Sequence, residues 1–381
     1  MGERIIVKAG RSGNKETVSQ LLSGKEGRNH SALIYFISKL KEEKQMGNLY
    51  PLKIDAYSHI VPLKYKEALY KIAPKQCDFK VTPHPSLYDL ERRFKVMDKY
   101  EPLRQVLTLA WPPVEEVANP KEAVDLAKLA NDEMAELVLK YPERFVAAIA
   151  CLPMNNIDAA LEETERAIKT LRFRGIYVHT PVQDKPLDLP EFIPLYEKMS
   201  RYNLPIFIHP MRSEDYPDCR TEDTSKYSIF STFGWPYETT VAMTRLVFSG
   251  ILERYPNLKV VTHHCGGMVP YFYQRIINFH DTFERQGEKY RLGLTKTPID
   301  YFKMFYADTG LYGNTAALMC GYSFFGADHL LFGVDFPLGE NEHGNRNYRQ
   351  TINAIEQMDI SDVEKTKIFE GNARKLLRLS I

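Results

Sequence analysis

The chain has 381 residues, and its 50 Lys and Arg against 49 Asp and Glu leave a net charge of +1. That length exceeds one ordinary domain but suits a single α/β barrel with additions. A near-neutral balance leaves no field to gather nucleic acid or an anionic membrane surface, so small-molecule chemistry is the expectation. No apolar run approaches the length of about 18 residues that a membrane helix needs, and the start MGERIIVKAGRSGNK lacks the long apolar segment of a secretory signal. Cys77, Cys151, Cys219, Cys265 and Cys320 are scattered and never form a CxxC pair, which argues against a disulfide framework or a thiolate zinc site. The chain reads as cytoplasmic.

Residues 1–50 are rich in Lys, Glu, Gly and Ser, with one helical stripe between Ser31 and Glu43 that aligns Leu33, Phe36, Ile37 and Leu40. They read as an N-terminal extension, either a lid or subunit contact or a weakly ordered arm. From Leu52 the pattern changes to short apolar runs, each ending in polar or Pro/Gly residues and followed by helical periodicity. Eight such runs occupy residues 52–59, 104–111, 145–153, 173–180, 204–210, 259–267, 304–310 and 330–337. Between them, Asn119-Pro120-Lys121-Glu122 supplies an N-cap, Pro at the first helical position and a Glu for a capping box. Ala123, Ala127, Ala130, Met134, Leu137 and Val138 then keep one face apolar, which predicts a helix. Ser361-Asp362-Val363-Glu364 is a second capping box. Strand and helix alternate throughout, implying a parallel sheet with helices outside. Eight repeats favour closure into a (β/α)8 TIM barrel over residues 51–381, with an open doubly wound sheet as the alternative. Residues at about 61–95 exceed what a simple crossover needs and predict a small insertion near the barrel mouth.

The last run, LLFGVDFP, stops at a carboxylate, Asp335, two residues before Pro337. Strands buried on both faces read as continuous apolar runs, and residues at their carboxyl ends line the active site of such a barrel. Asp335 is therefore a candidate ligand or acid/base; the alternative is an Asp that caps a turn. The same position in the other runs gives His59, Trp111, Pro153, His179, His209, His263 with His264, and Asp308. One strand-end His is commonly a hydrogen-bonded structural residue. Several His and Asp converging from different strands make an N/O site for a divalent cation, so a metal centre is expected.

The segments IDAYSHIVP, PIFIHP, LKVVTHHCGG, FYADT, LLFGVDFPLGE and FEGNARKLL, with GWPYETTVAMTRLVFSGILERYPNL ahead of the THHCGG run, resemble the amidohydrolase superfamily. The branch is the one containing aminocarboxymuconate semialdehyde decarboxylase and the resorcylate and dihydroxybenzoate decarboxylases. The resemblance spans roughly residues 52–381 and rests on the order of the motifs, one per expected strand. It implies His209 as the strand-five ligand, Asp335 as the strand-eight ligand and a catalytic participant, and His59 as a strand-one ligand. His264, in His264-Cys265-Gly266-Gly267, matches the catalytic acid/base.

Tyr57 departs from the pattern, because the family carries His or Glu two residues before the strand-one His. A phenol has a pKa of about 10 and ligates well only as a metal-stabilised phenolate; Tyr57 therefore reads first as a substrate-facing hydroxyl beside a three-ligand site, with an unusual ligand or a reduced metal affinity as the alternatives. Strand four offers no Lys to bridge two metals, so one divalent metal is implied, zinc first, with manganese or iron as alternatives. His179 is then a supporting or structural residue. Arg212 could hold a substrate carboxylate in a bidentate fork, and Trp111 and Asp308 join it as substrate-side residues. Glu238 reads as a first-turn helix residue or a site residue, and Cys265 as inert packing. Alternation along the strand turns His263 toward the helix layer.

The resemblance implies a mononuclear metal-dependent decarboxylase, a carboxy-lyase for a small cyclic or conjugated carboxylic acid. The alternative is a metal-dependent hydrolase of a lactone or amide. A binding protein on a barrel that has lost its metal is a third reading, motivated by Tyr57. A homodimer or higher homo-oligomer is expected, with no nucleic-acid or membrane partner.

Overall fold

The computed structural model describes residues 52–285, 294–338 and 344–381, so the stripe between Ser31 and Glu43 and the extension it belongs to lie outside the described residues. Nine short strands occur among them: β1 (Lys53–Ile60), β2 (Leu103–Leu109), β3 (Phe145–Ala148), β4 (Ala150–Cys151), β5 (Ile176–Thr180), β6 (Pro205–Pro210), β7 (Lys259–Thr262), β8 (Tyr306–Asp308) and β9 (Leu330–Leu331). All ladder pairings are parallel, in the orders β1-β2-β3 and β4 through β9.

Both seams between these sheets are hydrogen-bonded. β3 and β4 form one run interrupted at Ile149, whose N–H donates to the Leu107 carbonyl at 2.9 Å while that of Ala150 donates to Gly175 at 3.0 Å. At the other seam Ala56 donates to Phe332 and His59 to Phe336, both at 2.8 Å, and Ser58 bridges Phe336 in parallel. The eight runs thus close into the expected (β/α)8 barrel. The regular ladder of the last run is shorter than the expected 330–337 and stops at Leu331. Thr309 Oγ1 takes both the N–H and the carbonyl of Gly333, at 3.1 and 3.0 Å, and Asp335 adopts a left-handed backbone with φ 59°, so neither can continue a ladder.

Two apolar layers follow from strands buried on both faces. Outside, the sheet packs on helices such as Pro120–Lys140, whose predicted capping box is present at Asn119 and Glu122, as is the one at Ser361 and Glu364. Inside, Ile54, Tyr57, Val106, Ile149, Tyr177, Phe207, Val261 and Leu331 form a separate cluster that Leu376 and Leu377 of the terminal helix join. β1 serves this interior with a change of phase. Its register slips between Asp55 and Ser58, and Asp55 Oδ1 accepts the Tyr57 N–H at 3.2 Å. Ile54 and Ala56 therefore face inward, and beyond the irregularity so do Tyr57 and His59.

Residues 63–97 are mostly helical and are tied to the barrel by Arg93. Its fully buried guanidinium donates to Gln105 Oε1 at 2.7 Å, the His59 carbonyl at 2.7 Å and Ser58 Oγ at 2.8 Å. It also lies 4.8 Å from the Phe336 ring centre. Arg93→Met keeps the apolar stem but strands several buried acceptors, at a cost of about 3 kcal/mol or more. Thermal unfolding should show a lower midpoint; an unchanged midpoint would mean that water replaces the guanidinium freely.

Candidate metal centre

The strands carry inward-facing pairs at their carboxyl ends: Tyr57 and His59 on β1, Tyr177 and His179 on β5, Phe207 and His209 on β6, Val261 and His263 after β7. Register aligns Tyr177 with Phe207 and His179 with His209, and Phe207 with Val261. A layer of imidazoles therefore rests on a layer of aromatic and aliphatic side chains. Within it His59, His209, His263 and Asp335 each present one donor atom, all within 4.8 Å of one another, and all four residues are buried.

The hydrogen bonds on the far sides of the rings aim the near sides. The Pro210 carbonyl lies 2.7 Å from His209 Nδ1 and can only accept, so that nitrogen carries the proton. His263 Nδ1 donates to Asp308 Oδ2, and His59 Nδ1 meets Thr108 Oγ1 at 3.1 Å. Nε2 of each ring is thereby left for the centre. Asp335 Oδ1 lies 3.1 Å from His59 Nε2 and 3.3 Å from His263 Nε2, yet none of these three buried atoms forms an aligned hydrogen bond. Tyr312 donates to the other carboxylate oxygen, Oδ2, at 2.5 Å, which turns Oδ1 inward. Orphaned Nε2 and carboxylate atoms around one point are the donor set that a divalent cation satisfies, so the residues fit such an ion.

The electrostatics agree. Burial opposes ionisation of Asp335, but His263 and His59 reverse the effect and hold its carboxyl well below the usual range. Burial lowers His59 despite Asp335, and burial followed by the neighbouring rings lowers His209 further. Burial likewise disfavours a charged His263, yet Asp308 and Asp335 push it up to about 10. The positive charge that the cluster attracts thus collects on His263 when a proton supplies it.

His263 and His264 correct the alternation argument. Val261 belongs to the interior layer, so period two sends His263 inward as well, and the four-residue strand Lys-Val-Val-Thr gives no polar alternation from which to read that phase. Left-handed backbone at His264 (φ 52°) and Cys265 (φ 53°) then keeps His264 at the mouth too, 3.9 Å from His263 between ring centres. Gly267 permits the turn: its φ is +61°, and a Cβ there would lie 2.4 Å from the Pro236 carbonyl oxygen. Burial, then the charge on His263, lowers His264 to about 3. Its buried Nδ1 has no hydrogen-bond partner among the described residues.

Three substrate-side expectations are corrected. Tyr57 is fully buried, donates its hydroxyl to the Ile208 carbonyl at 2.9 Å and stacks on His263 with centres 4.3 Å apart; it sits in the layer beneath the imidazoles. Asp308, also fully buried, binds His263 and the N–H groups of Cys265 and Gly310 at 3.1 and 3.0 Å, so it orients the His263 turn. Arg212 is drawn to Glu238 Oε1 at 2.9 Å and lines neighbouring chambers rather than the main cavity. Trp111 does line that cavity, a space of about 600 Å³ that reaches His264, Tyr312 and Asp335 and is walled also by Phe230 and Trp235. His179 packs on His209 at 5.4 Å, outside the donor cluster. Cys265 is buried against Gly321, and burial pushes its thiol up. Tyr312, Phe230 and Trp235 were not anticipated, since loop and helix residues give no strand-end signal.

Fold and site together define a (β/α)8 barrel with an N/O donor centre at its strand ends. The chain belongs to the amidohydrolase family, which it matches over residues 54–379. It is 32% identical over 297 residues to a gamma-resorcylate decarboxylase from Polaromonas sp., covering 76% of this chain and 87% of that one. With the 2-amino-3-carboxymuconate-6-semialdehyde decarboxylase of Dictyostelium discoideum it shares 28% identity, covering 86% and 92%. A crystal structure of dihydroxybenzoic acid decarboxylase from Polaromonas sp., with bound manganese and 2-nitroresorcinol, superposes with a TM-score of 0.71 at 29% identity, covering 86% of this chain and 97% of that one.

Two measurements follow from the site. A ligating His must be deprotonated, so cation binding should release about one proton, that of His263, and should tighten by up to about tenfold per pH unit between roughly pH 6 and 9. Calorimetry in buffers of different ionisation enthalpy reads the proton count; zero protons and a flat pH dependence would remove His263 from the centre. Tyr57→Phe should retain the cation and lose about 1 kcal/mol of stability, because it strands the Ile208 carbonyl. Loss of the cation on that substitution would make the phenol a ligand after all.

Proposed function

We propose that the chain is a mononuclear metal-dependent decarboxylase, a carboxy-lyase acting on a small aromatic or conjugated carboxylic acid. The observation that carries this reading is the cluster of three Nε2 atoms and one carboxylate opening into a cavity walled by Trp111, Phe230 and Trp235. Similarity to named decarboxylases, one of which binds manganese and a nitroresorcinol, supports it.

In this reading His59, His209 and Asp335 hold the cation, and His263 supplies the donor that strand one lacks at Tyr57. When bound, the cation contributes charge that fixes the substrate's carboxylate or a neighbouring oxygen and spreads the charge developing as CO2 leaves. Tyr312 and the Thr108, Pro210 and Asp308 acceptors keep the donors aimed. Trp111, Phe230 and Trp235 present flat faces that orient a planar acid and exclude water. His264, kept neutral by burial, relays a proton from solvent to the carbon that loses CO2: the C–C bond breaks, its electron pair takes that proton to form the C–H bond, and one proton is consumed per carboxylate.

Such a donor set takes zinc, manganese or iron, and zinc remains the first assignment. Residues 51–381 form the catalytic domain, with the segment at about 61–95 walling the mouth. The exposed Tyr271, Phe272 and Tyr273 support a homo-oligomer. Five cysteines outside any disulfide among the described residues support a cytoplasmic setting; no helix there is long and apolar enough to cross a membrane.

Elemental analysis should find about one divalent metal per chain, and two tightly bound ions would contradict the mononuclear reading. The metal-loaded protein should release CO2 from hydroxylated aromatic acids and leave lactones intact. His264→Asn should keep the metal and lower turnover by roughly 10² to 10⁴. Lactone hydrolysis without CO2 release would replace the decarboxylase with a hydrolase.

A further inference from the structure

The wall of the cavity that reaches Asp335 and His264 also carries a cation, Lys80, with no ion-paired counter-ion among the described residues. Lys80 lies on a π-helical turn, Cys77–Val81. Its Nζ stands 4.8 Å from the Phe79 ring centre, 5.2 Å from Trp111 and 5.3 Å from Phe230. It lines both the 600 Å³ cavity and an adjoining chamber of about 370 Å³ that none of the cluster residues lines. Lys80 therefore sits where the two chambers meet, as Trp111, Phe230 and Trp235 also do. Among the described residues lining the larger cavity it is the one Lys or Arg, and it forms no hydrogen bond or ion pair with any described residue. Burial pulls its pKa below the usual lysine range, and Glu214 only partly opposes this.

A half-buried ammonium with no anion in contact, and Glu214 acting on it only from the adjoining chamber, is better stabilised when a ligand supplies that charge. The surrounding rings offset part of that cost through their faces, and the same faces accept a flat conjugated system. Elsewhere on the same cavity wall lie Asp335 of the donor cluster and His264, where the decarboxylase reading places a carboxyl group. We propose that Lys80 anchors a second carboxylate, so that the preferred substrate is a planar dicarboxylic acid with one carboxyl at the donor centre and the other at Lys80. This rests on the decarboxylase reading for the identity of the first carboxyl and on the Lys80 cage for the second.

The two tryptophans of the chain, Trp111 and Trp235, both line the cavity, so intrinsic fluorescence reports occupancy without requiring turnover. The metal-loaded full chain is titrated with isophthalate and with benzoate, and the same is done for Lys80→Met and Lys80→Arg, each checked for an unchanged unfolding midpoint. The wild type should bind isophthalate at least about tenfold more tightly than benzoate, the scale of one charge-assisted hydrogen bond. Lys80→Met should bring the ratio close to one, and Lys80→Arg should preserve most of it. Equal affinities in the wild type, or a ratio that survives Lys80→Met, would overturn the proposal. Discrimination with no CO2 release from any acid would sink the decarboxylase reading and leave the Lys80 site standing. CO2 release without discrimination would do the reverse. Should Lys80→Met fail to fold, Lys80→Gln carries the same comparison.

Discussion

The centre depends on a packing constraint: four imidazoles rest on a layer that cannot yield. Tyr57, Tyr177, Phe207 and Val261 fill the barrel interior immediately beneath His59, His179, His209 and His263, at the density of a protein core. The rings above cannot sink, and three of them are clamped through Nδ1 by Thr108, Pro210 and Asp308. Their Nε2 atoms are thus held at one point before any ligand arrives, which is the preorganisation that metal binding and electrostatic catalysis both need. The slip in β1 between Asp55 and Ser58 belongs to the same constraint, since without it His59 would face the helices.

Much of this arrangement was legible in the sequence. Apolar runs that end in His or Asp are a direct consequence of strands buried on both faces whose last residue reaches the barrel mouth, and they mark His59, His209 and Asp335 at the strand ends. The phase of a four-residue apolar strand is not legible, because nothing polar alternates along it, so alternation alone turns His263 to the wrong face. Tyr57 is misread for a related reason: position in a motif says which strand a residue is on, while its layer depends on the register slip. Lys80, Phe230, Trp235 and Tyr312 come from loops and helices that reach the cavity only through tertiary packing.

In the proposed centre Tyr57 supports a donor rather than supplying one. A phenol in the lower layer bonds the Ile208 backbone and lays its face against His263. The ring therefore supports His263, and Asp308 holds that imidazole from behind. The charge that each partner places on His263 favours a cation at this point, whether proton or metal.

Anomalous diffraction from crystals grown with manganese or zinc tests the central claim most directly. One peak is expected, in contact with Nε2 of His59, His209 and His263 and with Asp335 Oδ1. Two peaks at the mouth, or a single ion that leaves His263 outside its coordination, would contradict it.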